Sequence, residues 1–154
     1  MIESKKSKNV AIVTLWQSWI LGIVVCGDFQ FFRGYTLFLC KEHVPELHGL
    51  AQEKWERFLI EMSLVAESVF HGFHPRKLNY ECLGNAEPHL HWHILPRYSN
   101  DPSPKTTSWK IDKSIRYNEQ YRPSNAELSS IKEILLRELT QRDGIQIHRI
   151  WKDT

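Results

Sequence analysis

The sequence predicts an α+β domain in which helices back an antiparallel sheet. Three observations point there. Short runs rich in β-branched and aromatic residues flank turn signals, as in ILGIVVC, GDFQFFRG and YTLFLC. A long stretch then carries apolar residues at three- and four-residue spacing: Trp55, Leu59, Met62, Val65 or Ala66, and Val69. Finally, HLHWHIL alternates strictly, setting His89, His91 and His93 on one side of a strand and Leu90, Trp92 and Ile94 on the other.

In chain order, Ile20 to Cys26 reads as a buried strand. Gly27-Asp28 opens a turn that Gly34 closes, and Tyr35 to Cys40 is the hairpin partner. KEHVPELHGL is a polar connector to a helix over about Gln52 to Phe70, which Gly72 and Pro75 end. Leu78 to Leu83 is a further strand, Gly84-Asn85 a break, HLHWHIL the next strand, and YSNDPSPKTTS a loop. Ser124 and Glu127 fit a capping box heading a C-terminal helix whose apolar face is Leu128, Ile131, Leu135 and Leu139. IQIHRIW is a short final strand or an extended arm.

The 154 residues suit one domain spanning 1–154, with a motif-bearing core over about 20–109 and a C-terminal helical extension over about 124–141. Hydrophobic residues at 42% and charged residues at 25% are an ordinary globular balance. A formal charge of +2 gives no general reason to expect nucleic acid or a membrane as partner, while a phosphate-bearing small molecule fits a locally cationic site. The polar start and the lack of an apolar run near ~20 residues argue against a signal peptide or a membrane span. Cys26, Cys40 and Cys82 are odd in number, widely spaced and set in apolar runs, which suggests reduced, buried thiols in a cytoplasmic protein. Without a CxxC pair, a cysteine zinc knuckle is excluded.

Neighbouring histidines on one strand face lie roughly 6.5–7 Å apart. Three imidazoles and a water can hold zinc, but a spread of about 13 Å between the outer Cα atoms makes one strand a poor source of all three ligands. Two from the strand and a third from His43, His48, His71, His74 or His148 would serve better. Alternatively, imidazole attacks phosphorus well, leaves well and titrates near neutrality, so it can carry a phosphoryl or nucleotidyl group. His91, flanked on both sides, is then the nucleophile, and its neighbours and the Asn85 amide serve phosphate oxygens or the leaving group. Solvated, idle histidines are the third reading; three in register opposite an apolar face weigh against it.

HLHWHIL fits the pattern His-φ-His-φ-His-φ-φ, with φ apolar. Together with RGYTLFLCKEHVPELHGL, LNYECLGN and PHLHWHILPRYSNDP, it resembles the histidine triad (HIT) family, in its bacterial diadenosine-polyphosphate-hydrolase-like branch. The resemblance runs from about Ile20 to Trp109. It implies a HIT-like antiparallel sheet of about five strands, a homodimer, and attack by His91 on the α-phosphate of a nucleotide. A covalent nucleotidyl-histidine forms and water releases the mononucleotide. His89 and His93 orient His91 and contact phosphate or leaving group, Asn85 falls at a hydrogen-bonding position, and Asp28 lies near the position that binds ribose hydroxyls. Tyr35 stands where many members carry a further histidine. Its hydroxyl can bond a triad ring or substrate but cannot carry positive charge near pH 7.

The expectation is a nucleotide hydrolase or nucleotidyl transferase acting on dinucleoside polyphosphates or nucleoside phosphoramidates. It needs no cofactor at the protein, with Mg²⁺ arriving on a polyphosphate chain. The rival readings are a metal-dependent hydrolase using the histidines as ligands and a catalytically weak nucleotide-binding module. Arg97 reads as a solvated charge rather than a phosphate contact, and Trp109 as a residue near the site or across a dimer. Phe29, Phe31 and Phe32 are a wall for a base or anchors for the hairpin.

Overall fold

The hairpin around Gly27–Gly34 lies at the centre of the sheet. The computed structural model describes residues 13–15, 21–143 and 147–150, of which 13–15 and 147–150 are described by backbone alone. Its strands are Val13–Leu15 (β1), Gly22–Cys26 (β2), Thr36–Cys40 (β3), Lys77–Glu81 (β4), His91–Arg97 (β5) and Ile147–Ile150 (β6). Its α-helices are Gln52–Phe73 (α1), Lys113–Arg116 (α2) and Asn125–Thr140 (α3). All pairings are antiparallel, in the order β4-β5-β3-β2-β1-β6. Four strands with described side chains, β2 to β5, form the main sheet where about five were expected; the short β1 and β6 continue its hydrogen bonding past β2. Trp16, Trp19 and part of IQIHRIW lie outside the described residues.

The hairpin forms as expected, with Gly22 opposite Cys40 and Cys26 opposite Thr36. Its turn is tied by Gln30, whose amide donates to the Gly27 and Tyr35 carbonyls at 2.8 and 3.1 Å and accepts from the Gly34 N–H at 2.8 Å. The helical stripe of α1 packs on the sheet: Phe58, Val65 and Val69 are fully buried with Val24, Phe38 and Ile94, and Trp55 and Met62 lean on that cluster. The capping box of α3 is present in both directions, and Leu128, Ile131, Leu135 and Leu139 are buried as read.

Several boundaries differ. The long helix runs past Gly72 and stops at His74, whose left-handed backbone (φ 50°) caps it, its N–H bonding Phe70 O at 3.0 Å. Gly72 is there for packing: a Cβ would sit 2.8 Å from Ile134 Cγ2 of α3. The strands β4 and β5 are displaced from Leu78–Leu83 and His89–Leu95 to Lys77–Glu81 and His91–Arg97. Their register, Lys77 with Arg97 and Glu81 with His93, satisfies both backbones over that window. Cys26 and Cys40 are buried, but Cys82 is exposed because the chain leaves the sheet at Glu81. Among the described residues, no helix is long and apolar enough to cross a membrane.

Candidate active site

On β5, Ile94 faces the helices, so His91, His93, Leu95 and Arg97 face the other way. That second face is covered by a small apolar cluster of Phe32, Leu95 and Ile111, with Phe31 and Tyr35 against it. Beside it opens a cavity of about 320 Å³. His91 and His93 form its floor, and Tyr35, Phe29, Phe31 and Phe32 of the hairpin form one wall. Glu81 and residues 83–87, including Asn85, form a second wall. Gly84 turns the chain there in the left-handed region, φ 67°. The last wall is Trp109, Lys113, Arg116 and Tyr117. A larger cleft of about 560 Å³, bordered by Arg76, Lys77 and Lys105, lies past Arg97 at the other end of the strand.

The rings form one chain of hydrogen bonds. His91 Nδ1 lies 2.5 Å from the His89 carbonyl, His91 Nε2 lies 3.0 Å from His93 Nε2, and the Tyr35 hydroxyl lies 2.6 Å from His93 Nδ1. A carbonyl only accepts, so His91 carries its proton on Nδ1 and, when neutral, its lone pair on Nε2. His93 must then donate from Nε2 and accept the Tyr35 O–H at Nδ1. Burial first, then the charges of His91 and Arg116, hold His93 down at about 4 from its ordinary 6.5, so it is neutral near pH 7. Burial likewise pushes the Tyr35 phenol far above the usual tyrosine range, so it stays a donor. A Cβ at Gly27 would lie 2.1 Å from the Tyr35 ring, so the bare turn is what lets that ring lie beside His93.

His91, His93, Tyr35 and Asn85 thus share the cavity. His89 precedes β5, and its ring turns away: Nε2 donates to Cys40 O at 2.7 Å, and Nδ1 lies 3.2 Å from Nδ1 of His43. Its carbonyl, rather than its imidazole, reaches His91. The expectation that all three rings share one face is corrected, because the strand starts only at His91. Asp28 is exposed in the turn after β2 and is not among the residues lining the cavity.

Arg97 is neither a solvated charge nor a phosphate ligand. Only 4% exposed, it donates to Asp101, Asn79, Ser103 O and Thr106 O at 2.7–2.9 Å and fixes the loop after β5. Trp109 stands at the cavity mouth, 59% exposed. Sequence reasoning missed Glu81, Lys113, Arg116 and Tyr117. Glu81 could have been found from its place opposite His93 once the strand register was known; the others carry no local signal. Among the described residues, no group of three or more His, Cys, Asp or Glu is placed to hold a metal ion.

Residues 25–100 match the family model for the HIT domain. No curated protein is significantly similar in sequence. Among solved structures, a histidine triad protein of Sinorhizobium meliloti superposes with a TM-score of 0.74 at 18% identity, covering 90% of this chain and 96% of the other. One from Bradyrhizobium japonicum gives 0.71 at 19%, with the same coverage of 90% and 96%. One from Marinobacter aquaeolei gives 0.64 at 26%, covering 79% of this chain and 84% of its own. The fold and the motif agree with that match: residues 25–100 are similar to the HIT domain, a family whose members are generally nucleotide-binding hydrolases and transferases.

Proposed function

We propose that the protein is a nucleotide hydrolase or nucleotidyl transferase that acts on an α-phosphate through a covalent nucleotidyl-histidine at His91. The observation that carries this reading is the bond from His91 Nδ1 to the His89 carbonyl, which leaves the Nε2 lone pair as the reactive one, on the floor of the cavity. Without substrate, the His93 N–H occupies that lone pair at 3.0 Å. A phosphate oxygen is a better acceptor for it, so an arriving nucleotide frees Nε2 and gains a donor together.

In the first step the Nε2 lone pair forms an N–P bond. The bond from phosphorus to the leaving oxygen or nitrogen breaks, and its electrons depart with the leaving group. In the second, water adds to phosphorus, its proton passes to solvent, and the N–P electrons return to Nε2. The aromatic wall of Phe29, Phe31 and Phe32 suits a purine base. Dinucleoside polyphosphates and nucleoside phosphoramidates are the substrate classes, with Mg²⁺ carried on the polyphosphate. Asn85 on the second wall is a donor for phosphate or leaving group.

The test is intact-protein mass spectrometry after brief incubation with diadenosine tetraphosphate and with an adenosine phosphoramidate, in EDTA, on wild type and His91→Ala. A transient adduct of one adenylate on wild type, missing from the variant, is expected. Activity that returns only with added zinc or another transition ion, and not with Mg²⁺, would instead make the histidines ligands. AMP binding without turnover would make the protein a binding module.

A further inference from the structure

The cavity holds two groups that a transferring phosphate would meet at close range, His93 and Tyr35, and both are neutral near pH 7. Glu81 on the second wall adds negative charge, its carboxylate taking a hydrogen bond from the buried Ser108 hydroxyl. A phosphoryl group gathering charge on its non-bridging oxygens therefore needs a cation from elsewhere.

The segment after the matched family region supplies one. Ile111 is buried in the cluster with Phe32 and Leu95, and Asp112 caps α2 by accepting from Ser114 N at 2.7 Å. The stretch that follows docks on the hairpin turn, where Gln30 N donates to Tyr121 O at 2.8 Å and Phe29 meets Tyr117 edge-on at 5.5 Å. Arg116 lies between these anchors. Its Nε donates to Ile111 O at 2.9 Å and its guanidinium lies 5.2 Å from the Tyr117 ring centroid, so the side chain is held in place while its outer nitrogens remain to donate. Its charge already acts on both Tyr35 and His93. Lys113 lines the same wall but is exposed, so solvent and salt screen its charge, whereas Arg116 is half-buried.

We propose that Arg116 binds the non-bridging oxygens of the phosphoryl group transferred to His91, supplying from outside the matched family region the positive charge that a tyrosine at position 35 cannot. The proposal rests on the reading of His91 as nucleotidyl carrier. The planar fork of a guanidinium matches two phosphate oxygens at once, which an ammonium does not. No proton moves through Arg116: as the N–P bond forms and the leaving group departs with its electrons, the guanidinium N–H groups tighten on the charge that develops.

The test uses wild type, Arg116→Ala and Arg116→Lys. Rapid-quench measurement of adenylate adduct formation from diadenosine tetraphosphate is paired with calorimetric binding of AMP and of adenosine to each protein. Arg116→Ala should slow adduct formation by about 100-fold or more, in line with removal of one oxyanion donor. Arg116→Lys should recover part of the rate, and added guanidinium ion should rescue the alanine variant without stimulating wild type. AMP binding should weaken while adenosine binding holds, which a merely structural role would not produce. Adduct formation by Arg116→Ala within twofold of wild type overturns the assignment. If wild type forms no adduct, the nucleotidyl reading falls; Arg116 as a phosphate ligand then stands or falls on whether its loss weakens AMP binding relative to adenosine.

Discussion

Replacing Tyr35 with phenylalanine removes one oxygen atom and tests the hydrogen-bond chain directly. The phenol donates to His93 Nδ1 at 2.6 Å, and this bond forces the His93 proton onto Nε2, 3.0 Å from His91 Nε2. Without it, His93 can carry its proton on Nδ1, and two lone pairs then face each other across that gap. The ring must turn or shift, and the donor for phosphate is lost. A neutral hydrogen bond is worth about 1 kcal/mol net, and an acceptor left unpaired away from water costs about 1–3 kcal/mol. At about 1.4 kcal/mol per factor of ten, kcat/KM should fall about tenfold. Stability should fall by about 1 kcal/mol in a urea melt. The assay is steady-state hydrolysis of diadenosine tetraphosphate, alongside nitrogen NMR of the His93 ring to read its tautomer. Tyr35→His restores a donor and should regain part of the loss. If Tyr35→Phe hydrolyses at the wild-type rate with the His93 proton still on Nε2, the phenol does not set the tautomer and the reasoning is wrong.

Two further outcomes follow from buried charge. The folded pKa of His93 is depressed to about 4 from 6.5, so its contribution to stability is fully present above pH 6.5 and is lost as pH falls towards 4. With the solvent-open part of the ring discounted, the loss is about 2 kcal/mol. Urea midpoints across that range should fall more steeply for wild type than for His93→Gln; parallel curves would show that His93 is not held neutral by the fold. Arg97→Met should cost about 3–5 kcal/mol, because it strands the Asp101 carboxylate, which is 7% exposed and paired to Arg97 Nε at 2.8 Å. Adding Asp101→Asn should return part of that loss, and equal thermal midpoints for wild type and Arg97→Met would contradict it.

What the sequence determined by itself is what acts over a few residues. The α1 stripe, the Ser124–Glu127 capping box and the β2–β3 hairpin are set by side-chain period, a local hydrogen bond and turn chemistry, and each stands where it was read. The same locality made HLHWHIL legible as a site. The tertiary structure decided which atoms of that site meet. Pairing with β3 and β4 starts the strand at His91, which turns the His89 ring to Cys40 and leaves its carbonyl to hold His91. Gly72 reads as a helix stop until α3 is seen to need the space beside it. Arg97 reads as a surface charge until the loop after β5 folds its carbonyls around the guanidinium. Arg116 has no signal in its own neighbourhood, because its position depends on Ile111 packing against Phe32 and on Tyr121 bonding Gln30. Periodicity and capping are energies between residues a few positions apart, so the chain displays them; the charge at this cavity is set by contacts between segments some 80–90 positions apart, and only the folded chain brings those together.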